Sequence, residues 1–132
     1  MDTLRTPTLR TPLSAARGLG SAKEGVGHWW AVRVTSVALV PLTLWFILSA
    51  LSLTGADHAT VVRWLGSPFV TIPMVVLILT TFYHSALGLQ VVLEDYVHDE
   101  GIRLASIMAT KFACFVLAVA ALFAVLKIAF GR

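Results

Sequence analysis

Charge is scarce in this chain. Only 13% of its 132 residues are Asp, Glu, Lys or Arg, while 58% are hydrophobic. A soluble domain of this size carries about twice that share of charge, so a water-soluble globule is not expected. Cysteine is nearly absent as well: Cys114 stands alone in an apolar run, which excludes an internal disulfide and a cysteine-built metal cluster. Long polar stretches are also missing. The longest is the opening 33 residues, too short for a separate catalytic domain. The net charge is +3 and the pI about 9.5, yet no basic patch is interleaved with exposed aromatics, so nucleic acid is not an expected partner. What remains is a single-domain membrane protein with a mean hydropathy of +0.85.

Three apolar runs carry that hydropathy. Val34–Leu53 and Phe69–Leu93 hold no formal charge over 20 and 25 residues, and Leu104–Leu126 runs for 23 with only Lys111 inside it. A hydrocarbon layer of about 30 Å is crossed by about 20 helical residues, and lipid offers no partner to unpaired backbone groups. The expected fold class is therefore all-α: three transmembrane helices at about 31–53, 69–95 and 104–129, in one membrane domain over 31–132. Pro41 and Pro73 are tolerated where a neighbouring helix covers the freed carbonyl. The connections Thr54–Pro68 and Glu94–Arg103 are short and punctuated by Gly55, Gly66, Pro68 and Gly101, which reads as turns.

Residues 1–30 read as a flexible arm, with Thr-Leu-Arg-Thr-Pro repeated at 3–7 and 8–12 and no apolar period. Up to position 33 the arm carries Arg5, Arg10, Arg17, Lys23 and Arg33 against Asp2 and Glu24. By the positive-inside rule this end is cytoplasmic, and three crossings place the C-terminus in the periplasm. No signal peptide is expected, because the first apolar run begins after residue 30 and is too long for one. A bacterial inner membrane is favoured. An Arg- and Thr-rich opening poor in acids keeps a mitochondrial inner membrane as the alternative.

Ionisable groups at membrane depth are costly and are suspects for function. His84 lies nine residues, or about 14 Å, from Leu93 at the inner end of the second run, near the bilayer midplane. At about 100° per residue, Thr80, His84, Gly88, Val91 and Asp95 share one stripe. One face thus offers an imidazole, a missing side chain one turn on, and a carboxylate at the surface. That set suits a large planar cofactor: a nitrogen donor, then a gap through which a ring can approach the backbone. The competing reading is a neutral histidine bonded to a hydroxyl or carbonyl of a neighbouring helix.

The acidic segment from Glu94 to Glu100 reads either as a solvated turn with Tyr96 as an interfacial aromatic, or as the wall of a membrane-edge pocket. In the second reading the Tyr96 phenol donates to a carbonyl and Asp95 manages a proton. At the start of the first run, Trp29 and Trp30 are interface anchors. Arg33 either snorkels to the surface or pairs with an anionic group inside the bundle. Cys114 and the methionines are expected to pack, and Lys111 to snorkel.

These residues together are similar to a known pattern. His84, Gly88, Asp95 and Tyr96 match H-x3-G-x6-DY, which resembles the second-helix signature of the D-type membrane anchor of succinate dehydrogenase. His28-Trp-Trp-x2-Arg33, the positive arm and the three short-looped helices fit that family from about Gly25 to the C-terminus. One departure is Val34, where the family often has a small residue or threonine; here Thr35 follows it.

The resemblance implies a four-part machine: a flavoprotein subunit carrying FAD, an iron–sulfur subunit, a C-type cytochrome b anchor and this chain. The two anchors would pack as a helical bundle in membrane lipid, bracket one haem b and build the ubiquinone site. By the same resemblance His84 would be an axial ligand of the haem iron, with Gly88 beside the ring and Arg33 facing a propionate or the quinone pocket. Tyr96 would bond the quinone carbonyl, with Asp95 next to it. Succinate would be oxidised on another subunit. Two rivals stand beside this reading. One is a haem-less anchor of a fumarate reductase-like quinone enzyme. The other is a small three-helix transport or pore protein, which gives no reason for His84 and Asp95 to share a face.

Overall fold

The computed structural model describes Leu13 and residues 23–131. The expectations for the arm and its repeat over residues 1–22 otherwise lie outside the described residues. Four helices follow: α1 (Lys23–Ser52), α2 (His58–Leu65), α3 (Pro68–Tyr96) and α4 (Glu100–Phe130). Three of them, α1, α3 and α4, are long and apolar enough to cross a membrane, and no strand occurs among the described residues.

Each long helix extends beyond its charge-free run, because hydropathy marks the hydrocarbon layer while capping marks the helix end. Asp99 caps α4, its Oδ1 accepting the Ile102 N–H at 2.9 Å, so α4 begins at Glu100 rather than near 104. The expected Glu94–Arg103 turn thereby contracts to three residues between α3 and α4. At the other end of the chain α1 already begins at Lys23, inside the segment expected to be a flexible arm. Ser67 and Pro68 start α3, a proline at the first helical turn losing no bond that was there to make. α1 and α3 run on through Pro41 and Pro73.

The first connection departs from a plain turn. It holds α2, which begins at Asp57, whose Oδ1 accepts the Thr60 N–H at 3.1 Å, and stops at Gly66. Gly55 makes the preceding bend at φ +81°, a conformation open to glycine. Trp64 of α2 stacks on Trp45 of α1, centroids 6.2 Å apart, and α2 also touches α3 and α4. Buried Thr71 donates its hydroxyl to the Leu65 carbonyl, closing the corner into α3.

The three long helices stand in a row. α3 is central and packs on both α1 and α4, while α1 and α4 do not contact each other among the described residues. The covered core is small: its buried apolar residues are Met74, Leu77 and Leu87 of α3 and Cys114, Ala118 and Ala129 of α4. Val37, Leu44, Leu48 and Leu51 of α1 and Phe112, Phe115 and Phe123 of α4 are exposed. Such a surface is stable in lipid or against further helices, not in water.

Candidate functional site

The contact between α1 and α3 is organised by one polar pair. Thr35, with 9% of its surface exposed, stands on α1 against α3. Its Oγ1 lies 2.8 Å from Nδ1 of half-buried His84, across 49 residues of sequence. The same hydroxyl reaches back to the Ala31 carbonyl at 2.7 Å and the Val32 carbonyl at 3.0 Å. A hydroxyl has one proton and two lone pairs. With the proton committed to the preceding turn, the oxygen is left to accept, and Nδ1–H is the donor that faces it. A neutral imidazole with its proton on Nδ1 has a lone pair on Nε2. The hydroxyl bond that competed with the ligand reading occupies one ring nitrogen, so the two readings coexist.

Along α3 the stripe passes from covered to open. Thr80 and His84 are half-buried, Gly88 and Asp95 are exposed, and Val91 is 41% exposed between them. A Cβ built on Gly88 would meet nothing within 4 Å, so no packing within this chain requires glycine there. Among the described residues no three His, Cys, Asp or Glu gather as a metal site. Mid-depth in α3, then, stands a single nitrogen donor beside an uncovered stretch of helix. This fits a metal already held by a macrocycle, which needs one axial ligand from each side and room for the ring's edge.

Asp95 and Tyr96 end α3, about 16–18 Å along the axis from His84, and Tyr96 is 78% exposed. Neither makes a side-chain hydrogen bond among the described residues. Glu94, by contrast, accepts from Gln90 at 2.7 Å. The last turn of α3 carries these carboxylates and no base, so they face the negative pole of the helix dipole without a cation in that turn. That favours a cationic or proton-donating surface against this end.

Arg33 is not brought to His84. It lies two residues from Thr35, about 200° around α1, and its guanidinium sits 5.0 Å over the Trp29 ring. Trp29 and Trp30 meet edge to face at 5.1 Å. Sequence reasoning gave no role to two residues that the structure singles out. One is Thr35. The other is His28, seven positions earlier on the same face of α1, whose Nε2 is sealed from solvent without a partner among the described residues. A polar residue one heptad from another on an apolar helix was the available signal for both.

A cavity lies elsewhere. A groove of about 460 Å³ runs between α3 and α4, lined by Phe82, Tyr83 and Ala86 on one side and Lys111, Cys114 and Ala118 on the other. These α3 positions are turned about 100–160° from His84, so the groove is separate from the stripe. Cys114 packs, as expected, and exposed Lys111 is the groove's one cation.

The family model described as the succinate dehydrogenase/fumarate reductase transmembrane subunit matches residues 7–118. The succinate dehydrogenase hydrophobic membrane anchor subunit of Rickettsia bellii is 34% identical over 88% of this chain and 93% of its own length. That of Paracoccus denitrificans is 31% identical over 92% of this chain and 93% of its own. The succinate dehydrogenase membrane anchor subunit of Reclinomonas americana is 34% identical over 67% and 77%. No solved structure matches the chain.

Proposed function

The chain belongs to the succinate dehydrogenase/fumarate reductase transmembrane subunit family, and from that premise we propose that it is the hydrophobic membrane anchor of a succinate dehydrogenase, lending one axial ligand to a haem b and part of a ubiquinone site. The observation that carries the haem reading is the division of His84. Nδ1 is engaged by Thr35, which leaves Nε2 as the ligating nitrogen. Gly88, with open space over it, supports the same reading. His84 and a histidine of the C-type cytochrome b anchor would hold the haem, which would supply a one-electron carrier.

The chain's own residues then divide the work by depth. His84 binds at the midplane. Arg33, which has no carboxylate partner among the described residues, offers a cation to an anionic group reaching the membrane edge, a propionate or the quinone pocket. Tyr96 donates its phenolic proton in a hydrogen bond to a ubiquinone carbonyl, and Asp95 holds or passes a proton beside it. Reduction of ubiquinone consumes two electrons and two protons, so exposed titratable groups at the wet edge suit it better than the midplane. The uncompensated acidic end of α3 forms part of the surface on which the iron–sulfur subunit docks. Succinate is oxidised on the flavoprotein subunit, and this chain performs no dehydrogenation. The membrane is a bacterial inner membrane, with the N-terminus cytoplasmic and the C-terminus periplasmic.

Affinity purification of the chain from native membranes in mild detergent tests this. The expected eluate holds a second anchor, an iron–sulfur protein and a flavoprotein, with a bis-histidine haem spectrum. A complex with flavin but no haem assigns the haem-less fumarate reductase type. A long-lived, monodisperse oligomer of this chain alone overturns the anchor reading in favour of a pore.

A further inference from the structure

We infer that Thr35 is a positioning residue for the haem: it fixes the ring orientation and Nδ1–H tautomer of His84 and makes the imidazole a stronger donor to iron. The inference rests on the haem reading above and adds to it a second residue, on a different helix. Three observations carry it. The first is the 2.8 Å approach of Oγ1 to Nδ1, at a threonine that is nearly buried. The second is the commitment of the hydroxyl proton to Ala31 and Val32, which makes the oxygen an acceptor toward the ring. The third is location: no other hydrogen bond is formed by His84 among the described residues, so none of the others selects between its tautomers.

The tautomer decides whether ligation is possible. With the proton on Nε2, the nitrogen turned away from Thr35 would be a donor and could not bind iron. With the proton on Nδ1 and shared with Thr35, electron density moves toward Nε2, as outer partners of metal-bound histidines generally arrange. A richer nitrogen favours the ferric over the ferrous state. The β-branched threonine adds stiffness, since its hydroxyl is already fixed on its own helix before the ring arrives. Serine would supply the same acceptor with less restraint, and valine the same shape without it.

The experiment uses membranes holding the assembled complex, with Thr35→Val, Thr35→Ser and His84→Leu compared with the unaltered chain. The readouts, taken per haem, are the reduction potential from a spectroscopic titration and the low-temperature electron paramagnetic resonance of the oxidised haem. Succinate-to-dye activity serves as the measure of assembly. Thr35→Val is expected to raise the potential, so that the ferrous-to-ferric ratio at a fixed applied potential grows about fivefold, the worth of one neutral hydrogen bond. Its resonance spectrum should broaden as the ring loses its fixed orientation, and Thr35→Ser should restore both. Thr35→Ala removes the same hydroxyl without adding bulk and is expected to give the same readings, which separates loss of the acceptor from crowding by valine. An unchanged or lowered potential in the hydroxyl-less variants, with His84→Leu losing the spectrum, overturns the role of Thr35 and leaves the haem reading standing. An unchanged spectrum in His84→Leu overturns both.

Discussion

The two seams along α3 are built on different principles. Against α1 the contact turns on a polar pair, Thr35 and His84, and leaves the neighbouring Gly88 open. Against α4 it is a bed of small or apolar side chains, Ala86 and Leu87 facing Cys114 and Ala118 around a groove of about 460 Å³. Small residues let helices approach closely in lipid, where van der Waals contact and lipid entropy drive association. That seam holds the chain together without specifying any chemistry. An interhelical hydrogen bond in lipid is worth about 0.6–2 kcal/mol, no more than close packing supplies, so stability alone does not call for a histidine at the other seam. The α1 seam carries the site proposed above, and the α4 seam supplies a support.

The comparison is broken most sharply at His84. His84→Leu should abolish the bis-histidine spectrum of the complex, since the iron–nitrogen bond is removed. Gly88→Leu should cost most of the haem as well, although a Cβ there meets nothing within 4 Å among the described residues. Haem content per flavin checks both. Ala118→Leu is the counterpart on the α4 seam. Overpacking there costs about 1–3 kcal/mol. It should appear as a lower thermal midpoint and less assembled complex, with the haem spectrum unmoved in what remains.

A smaller effect separates the open end of α3 from both seams. Tyr96→Phe should leave dye reduction intact and lower ubiquinone reduction by a few-fold to about tenfold, the equivalent of about 0.5–1.5 kcal/mol acting in the transition state. Asp95→Leu should lower the same ratio. Asp99→Asn should not, because asparagine keeps the cap on α4 that Asp99 provides. Equal ratios in all three, measured at equal complex content, would move the pocket elsewhere.

The smallest expected effect lies at the far end of the fold, in α2. The Thr60 side chain, then its backbone N–H, hold the Asp57 carboxyl below its ordinary value of 3.8. A carboxylate lowered on folding stabilises above its unfolded value, and that contribution is lost as pH falls through the folded one. Amide protection factors over residues 58–65, corrected for the intrinsic pH dependence of exchange, should therefore fall as the pH drops below about 4, and Asp57→Ala should remove that fall. Neither change should touch the haem spectrum or the quinone-to-dye ratio.

Much of this was legible in the chain because it is local. The three crossings follow from uninterrupted hydropathy, and the stripe from Thr80 to Asp95 follows from the period of one helix. The partner of His84 was not legible, since Thr35 lies 49 residues away and only packing joins them. Nor was α2, although its cap at Asp57 and its stop at Gly66 were both visible; eight residues are too few for a periodic signal to outweigh the turn residues around them. Helix ends were misplaced for a related reason. Polar caps such as Asp99 extend a helix past the point where hydropathy fails. Arg33 was identified as a charge at the membrane edge, but its direction, away from α3 and over Trp29, depends on the facing of α1.

The self-bonded hydroxyl of Thr35 has a consequence for how the chain is made. Synthesis delivers α1 first, and His84 emerges 49 residues later, about 2–10 s at ~5–20 residues per second. During that interval Thr35 is already satisfied by Ala31 and Val32, so α1 can wait in the bilayer with no stranded polar group at this depth. The latecomer is the side chain in need: His84 arrives with two ring nitrogens to satisfy and finds one acceptor prepared. The order of arrival thus leaves the second ring nitrogen as the group still to be satisfied once α3 has met α1.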